Sequence, residues 1–90
     1  EKIGYDIHIL VKLRIAKGML FEVEKKIAKD PHVFAVYDIM GVFDAIIIAK
    51  FKNRRSMDGF IKKIQTYNFV ERTETSMILN TIKEKAIPVD

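Results

Sequence analysis

Apolar and polar residues alternate along the chain from Tyr5 to Ile15. Ile7, Ile9, Val11, Leu13 and Ile15 fall on one side, and Asp6, His8, Leu10, Lys12 and Arg14 on the other. A period of two over this length predicts a strand with one strongly apolar face. Lys17-Gly18 interrupts it, and the spacing then changes. Leu20, Val23 and Ile27 recur at helical intervals with charges between them, which predicts a helix from about Met19 to Lys29. Pro31 lacks an N–H and cannot continue a helix interior, so this helix ends by about Asp30.

Two β-rich runs follow, from Val33 to Met40 and from Ala45 to Phe51, with Gly41-Val42-Phe43-Asp44 between them. Glycine takes positive φ without a Cβ clash, so a hairpin reversal near Gly41 is expected. In the second arm Ile47, Ala49 and Phe51 point to one side and Ile46 and Ile48 to the other. Both faces of that strand need cover. The polar run Lys52 to Ser56 reads as a loop, with Ser56 as N-cap and Asp58 near the positive end of a second helix. Met57, Phe60, Ile61 and Ile64 form its buried stripe, and it ends near Tyr67-Asn68. Glu71 to Lys83 alternates again, with Thr73, Thr75, Met77, Leu79 and Thr81 set against Glu74, Ser76, Ile78, Asn80 and Ile82. The tail from Glu84 to Asp90 is either loose or a short edge segment.

The order strand, helix, strand, strand, helix, strand predicts an α+β fold, a ferredoxin-like βαββαβ sandwich. Its antiparallel four-stranded sheet carries two helices on one face. This reading places the first and last strands centrally and the hairpin arms at the periphery. The uncovered face would then carry Ile, Leu and Thr side chains. Burying one Ile or Leu is worth about 1.5–3 kcal/mol, so several together approach the stability of a small domain. A sheet-to-sheet dimer is the expected cover.

Composition narrows the class. Ninety residues, 49% hydrophobic and 31% charged, describe one globular domain spanning residues 1–90. No apolar run approaches the ~20 residues that cross a bilayer, and no signal-peptide pattern is present. The absence of cysteine agrees with a cytoplasmic protein. Few Asn and Gln with abundant Ile and Lys lean towards a thermophile. The net charge of +4 invites a nucleic-acid reading, but the cations are dispersed among acids. Only Lys52-Asn53-Arg54-Arg55 forms a cluster, either solvated surface or an anion contact.

Catalytic signals are weak. His8 and His32 lack partners at metal-ligand spacing, and no phosphate loop, nucleophile elbow or zinc motif occurs. Asp38 and Asp44 bracket the hairpin and could form an acid–base pair, although strand-end aspartates usually form turns. A sheet that stacks RNA bases needs aromatic side chains on its central strands, where this chain has Ile, Leu and Thr. We therefore expect no enzyme, no cofactor and no metal. The alternatives are a pure oligomerisation domain and a small ferredoxin-like dimeric enzyme, such as a cofactor-free oxygenase using His8 or an aspartate.

Two polar patches at strand ends remain, Gly41 to Asp44 and Arg72 to Ser76. A carboxylate, free amides and hydroxyls suit a ligand bearing both ammonium and carboxylate groups. The equally simple reading is that threonines favour strands and Asp44 forms a turn. An ordered set of motifs spans nearly the whole chain. It runs through Gly4-Tyr5, Lys17-Gly18, Pro31-x-Val33, Val36-Tyr37, Gly41-x-Phe43-Asp44, Val70-Glu71-Arg72-Thr73-Glu74-Thr75 and Leu79-x-Thr81-x-Lys83-Glu84.

In these residues the chain resembles the C-terminal effector-binding domain of the Lrp/AsnC, or feast/famine, transcription regulators. The resemblance implies a homodimer joined through its sheets, assembly into octamers, and a small amino-acid effector held between dimers. It nominates Gly41, Phe43, Asp44, Thr73 and Thr75, with Met40, Glu74 and Ser76 as neighbours. Lys62 would favour an acidic or polar effector side chain if it faces the pocket. The family often has Asp in place of Val42 and Tyr in place of Phe43. It also implies DNA binding through an N-terminal helix-turn-helix domain that nothing in this chain matches. The chain opens on Glu1, so it is expected to be either a fragment or a stand-alone sensing module.

Overall fold

The computed structural model describes residues 7–84. The predicted features at Glu1, Gly4, Tyr5 and Asp6, and the tail beyond Glu84, lie outside them. Six elements follow the predicted order: β1 (Ile7–Ile15), α1 (Leu20–Ala28), β2 (Val33–Asp38), β3 (Ala45–Phe51), α2 (Arg54–Gln65) and β4 (Val70–Ile78). They build one antiparallel four-stranded sheet in the order β2-β3-β1-β4. Each β-α-β half leaves a slot between its parallel strands, and a strand of the other half fills it.

That order corrects the expected one. β1 is central, but so is β3, and β4 lies at an edge. The chemistry of the strands explains it. β3 is apolar on both faces, and a central strand hides both its faces and both its hydrogen-bonding edges. β4 carries Arg72, Thr73, Glu74, Thr75 and Ser76, which tolerate an edge.

The core lies between the sheet and the helices. Ile9, Val11, Leu13 and Ile15 of β1 meet Ala45, Ile47, Ala49 and Phe51 of β3, all buried. Val23 and Ile27 of α1 and Met57, Phe60 and Ile64 of α2 close over them. His32 stacks on Phe51 with ring centroids 4.7 Å apart, and Phe51 meets Phe60 at 5.2 Å. His32 is thus a packing residue beside the core.

Local details depart from the expected boundaries. Asn53, not Ser56, caps α2. Its side chain accepts the Ser56 N–H at 2.9 Å, so the helix starts at Arg54 and Asp58 lies beyond the first turn. Asn and Ser cap equally well in sequence, and only the extended backbone at Asn53 (φ −152°, ψ 168°) selects between them. The α2 helix also stops at Gln65, and β4 ends at Ile78 instead of continuing to Lys83. Gly18, at φ +85°, makes the turn from β1 into α1, a conformation that Cβ-bearing residues rarely adopt. The hairpin is no tight reversal about Gly41. It is a loop spanning residues 39–44, closed by the Ile39 N–H donating to the Asp44 carbonyl at 3.0 Å.

After the helix, Asp30 ties three segments together. Its carboxylate accepts the His32 N–H at 2.8 Å, faces His32 Nδ1 at 3.0 Å and takes Lys63 Nζ of α2 at 3.2 Å. Burial alone would raise its pKa. The hydrogen bonds from His32 and the Lys63 ammonium outweigh that and hold it below the ordinary Asp range.

Candidate functional site

Among the described residues no helix covers the second face of the sheet. Register places Ala35 and Tyr37 of β2, Ile46, Ile48 and Lys50 of β3, His8, Leu10 and Lys12 of β1, and Glu74, Ser76 and Ile78 of β4 on it. The β2 register shift at Phe34 adds that ring to the same side, with Lys50 Nζ 3.8 Å from its centroid. At one end the sheet and residues 80–84 form an open groove of about 560 Å3 over His8, Tyr37, Ile48 and Ile78. It is a surface groove, and the core on the other side of the sheet is filled.

The hairpin loop closes the other end of this face. Because Leu13 is the last β1 residue paired with β3, the Ile15 N–H has no partner from that strand's ladder. Asp44 supplies one. Its Oδ2 accepts the Ile15 N–H at 2.7 Å, while its own N–H donates to the Leu13 carbonyl at 2.8 Å. Arg14 Nη1 donates to the Val42 carbonyl at 2.9 Å. Phe43 folds back and is buried, its centroid 5.8 Å from Lys12 Nζ and 5.6 Å from Arg72 Cζ. Cations over an aromatic face are attracted by its quadrupole. The loop is therefore clamped at its base while Met40, at 101% relative exposure, and Val42 project into solvent.

The nominated residues divide between two faces. Phe43, Glu74 and Ser76 lie on the bare face, where Glu74 pairs with Lys12 at 3.7 Å. Thr73 and Thr75 lie on the helical side, where Val11, Ile61 and Ile64 leave a crevice with no room for a water. Lys62 is exposed and does not line that crevice. Met40 and Gly41 stand at the loop tip. A single chain does not bring the set into one pocket.

The proposed Asp38–Asp44 pair is not formed either. Asp44 is held by Ile15, and Asp38 faces Glu24 of α1. Burial first, then the hydrogen bond and charge of Asp38, push the Glu24 carboxyl up to about 7. Glu24 Oε2 is sealed from solvent without a hydrogen-bond partner. The sequence did carry a signal for this residue. Glu24 completes the i, i+3, i+4, i+7 stripe begun by Leu20 and Val23, where an apolar side chain is expected. Among the described residues no group of His, Cys, Asp and Glu could hold a metal ion, and no helix is long and apolar enough to cross a membrane.

Comparison with known proteins decides the family. The profile of the Lrp/AsnC ligand binding domain matches residues 8–88. The chain belongs to this family. An uncharacterized HTH-type transcriptional regulator of Pyrococcus abyssi is 42% identical over 84 residues, covering 93% of this chain and 57% of that protein. The chain thus spans little more than half the length of such relatives. Among solved structures, E. coli AsnC superposes with a TM-score of 0.84 at 21% identity, over 93% of this chain and 58% of that one. A Neisseria meningitidis transcriptional regulator solved as an L-Met complex gives 0.81 at 16% identity, over 98% and 63%. At these identities the likeness is one of fold, and the fold is that of the Lrp/AsnC ligand-binding domain.

Proposed function

We propose that this Lrp/AsnC domain is the effector-sensing and assembly module of a transcription regulator. Two copies pack their bare sheet faces together, and dimers join into larger rings, octamers in the full assembly. A small effector, an amino acid, sits where the hairpin loop of one dimer meets the β4 start of another. The observation that carries this reading is the division of the nominated residues between two faces of one chain. Met40 and Gly41 at the loop tip are set apart from Thr73 and Thr75 on the helical side, so a crevice that joins them draws on a second copy, with Phe43, Asp44, Glu74 and Ser76 beside it. An effector bridging such a boundary stabilises one arrangement of dimers, and by linkage changes how attached DNA-binding domains are spaced. DNA binding would belong to an N-terminal helix-turn-helix part of the whole protein. The L-Met complex of the Neisseria regulator supports an amino acid as the ligand class.

A second reading is favoured by one observation. Phe43 and Asp44 are both occupied within the chain, by Lys12 and Arg72 and by the Ile15 N–H. A pure assembly module would look like this too. Thermal unfolding against a panel of amino acids separates the two readings, because a ligand bound to the folded state raises Tm saturably. The Asp44→Asn variant keeps an acceptor for Ile15 while removing the charge, so it should fold and lose the shift. No shift with any amino acid would leave only the assembly role, and a shift unchanged in Asp44→Asn would remove Asp44 from the site. Light scattering that shows a stable single copy at micromolar concentration would refute both.

A further inference from the structure

On the helical side, between α1 and the α2–β4 connection, lies a second groove of about 330 Å3, within the range of small-ligand sites. One wall is the last part of α1 with the residue that caps it, carrying Lys25, Lys26 and Lys29. The other is Tyr67, Asn68 and Phe69. The ammonium of Lys26 stands 4.9 Å from the Tyr67 centroid, and that of Lys25 stands 5.2 Å from Phe21. Ring faces, not carboxylates, hold these two cations. The ion pairs found among the described residues involve Lys12, His32 and Lys63 instead. Three lysines thus face one acid, Glu22, in the lining. The dipole of α1 explains why cations gather in its last turn. It does not explain a hollow in front of them walled by two aromatic rings and an amide.

We propose that this groove binds an organic phosphate carrying a planar ring, a ligand of the nucleotide class. The phosphate lies against Lys25 and Lys29, and the ring lies against Phe69, which is 43% exposed. Lysine binds phosphate as a point charge, and a base stacks on an aromatic face whatever its identity. A zwitterionic amino acid has no net charge to draw three lysines, and its ammonium would be repelled by them. The site is thus chemically distinct from the hairpin loop and does not depend on the effector reading.

Isothermal titration of the 90-residue chain with AMP and ATP, without divalent cation at low salt, tests it. Saturable binding is expected for both, with adenosine and inorganic phosphate each at least about tenfold weaker than AMP. The surface double variant Lys25→Gln/Lys29→Gln should weaken AMP binding by about tenfold or more, since a hydrogen bond to a charged group contributes about that much. Phe69→Leu should weaken AMP but not inorganic phosphate. No saturable heat with either nucleotide, inorganic phosphate binding as well as AMP, or an unaffected double variant would overturn the proposal.

Discussion

Replacing Glu24 with glutamine should flatten the dependence of stability on pH between 5 and 8. In the folded chain the Glu24 carboxyl is raised from 4.5 to about 7 by burial and by Asp38. A group whose folded pKa is raised stabilises the fold fully below the unfolded pKa, and that contribution is lost as pH rises through the folded pKa. The wild-type chain should therefore weaken from about pH 5 to pH 8. At 1.36 kcal/mol per pKa unit the ceiling is about 3 kcal/mol. Glu24 is only partly buried although Oε2 is sealed, so solvent screening reduces this to about 1–2 kcal/mol. For a domain of this size that is a fall of roughly 5–10 °C in Tm. Glutamine keeps the shape and cannot ionise beside Asp38. Melting curves for both proteins at one fixed concentration, at half-unit pH steps, provide the assay. The variant should be the more stable at pH 8, with the difference shrinking towards pH 5. The two proteins differ at this one residue, so the difference between the curves isolates Glu24. Parallel curves would refute the reasoning.

Four further outcomes test other parts of the structure. Asp30→Asn should cost about 1–3 kcal/mol at pH 7, because it removes the charge facing Lys63 and His32. The depressed Asp30 pKa means that this contribution is present at neutral pH and lost as pH falls through the folded value, so acid titration of Tm should bring wild type and variant together. Asn53→Ala should cost about 1 kcal/mol in urea unfolding, and Ser56→Ala much less, since Asn53 is the cap. Phe51→Ala, at 0% exposure between His32 and Phe60, should cost about 3–5 kcal/mol. Ile48→Lys, on the bare face, should shift light scattering towards a single copy while the far-ultraviolet circular dichroism stays native; unchanged mass would remove that face from the dimer.

Much of this fold was legible in the chain because its signals are local. The period-two run of β1, the Leu20, Val23, Ile27 spacing of α1 and the Phe60, Ile64 stripe of α2 each report which side of one element is dry. The excess of apolar residues in β3 over what two helices can cover was also plain from Ile46 and Ile48. The neighbours of each element were not. Strand order depends on which edges find partners. β4 therefore took an edge position that its own alternation does not reveal, although its Thr, Glu and Ser content is consistent with it. Asp44 looked like a ligand for an ammonium, and its partner proved to be an N–H near the end of β1, 29 residues away. Thr73 and Glu74, nominated together, were separated by the sheet itself, since residues one apart along a strand face opposite sides. Glu24 broke a helical stripe in plain view, but only packing against β2 placed Asp38 beside it. Sequence by itself determined which surfaces of each element shun water. Tertiary structure decided which polar groups those surfaces carry into contact, because such pairings depend on distances across the sheet that no spacing along the chain encodes.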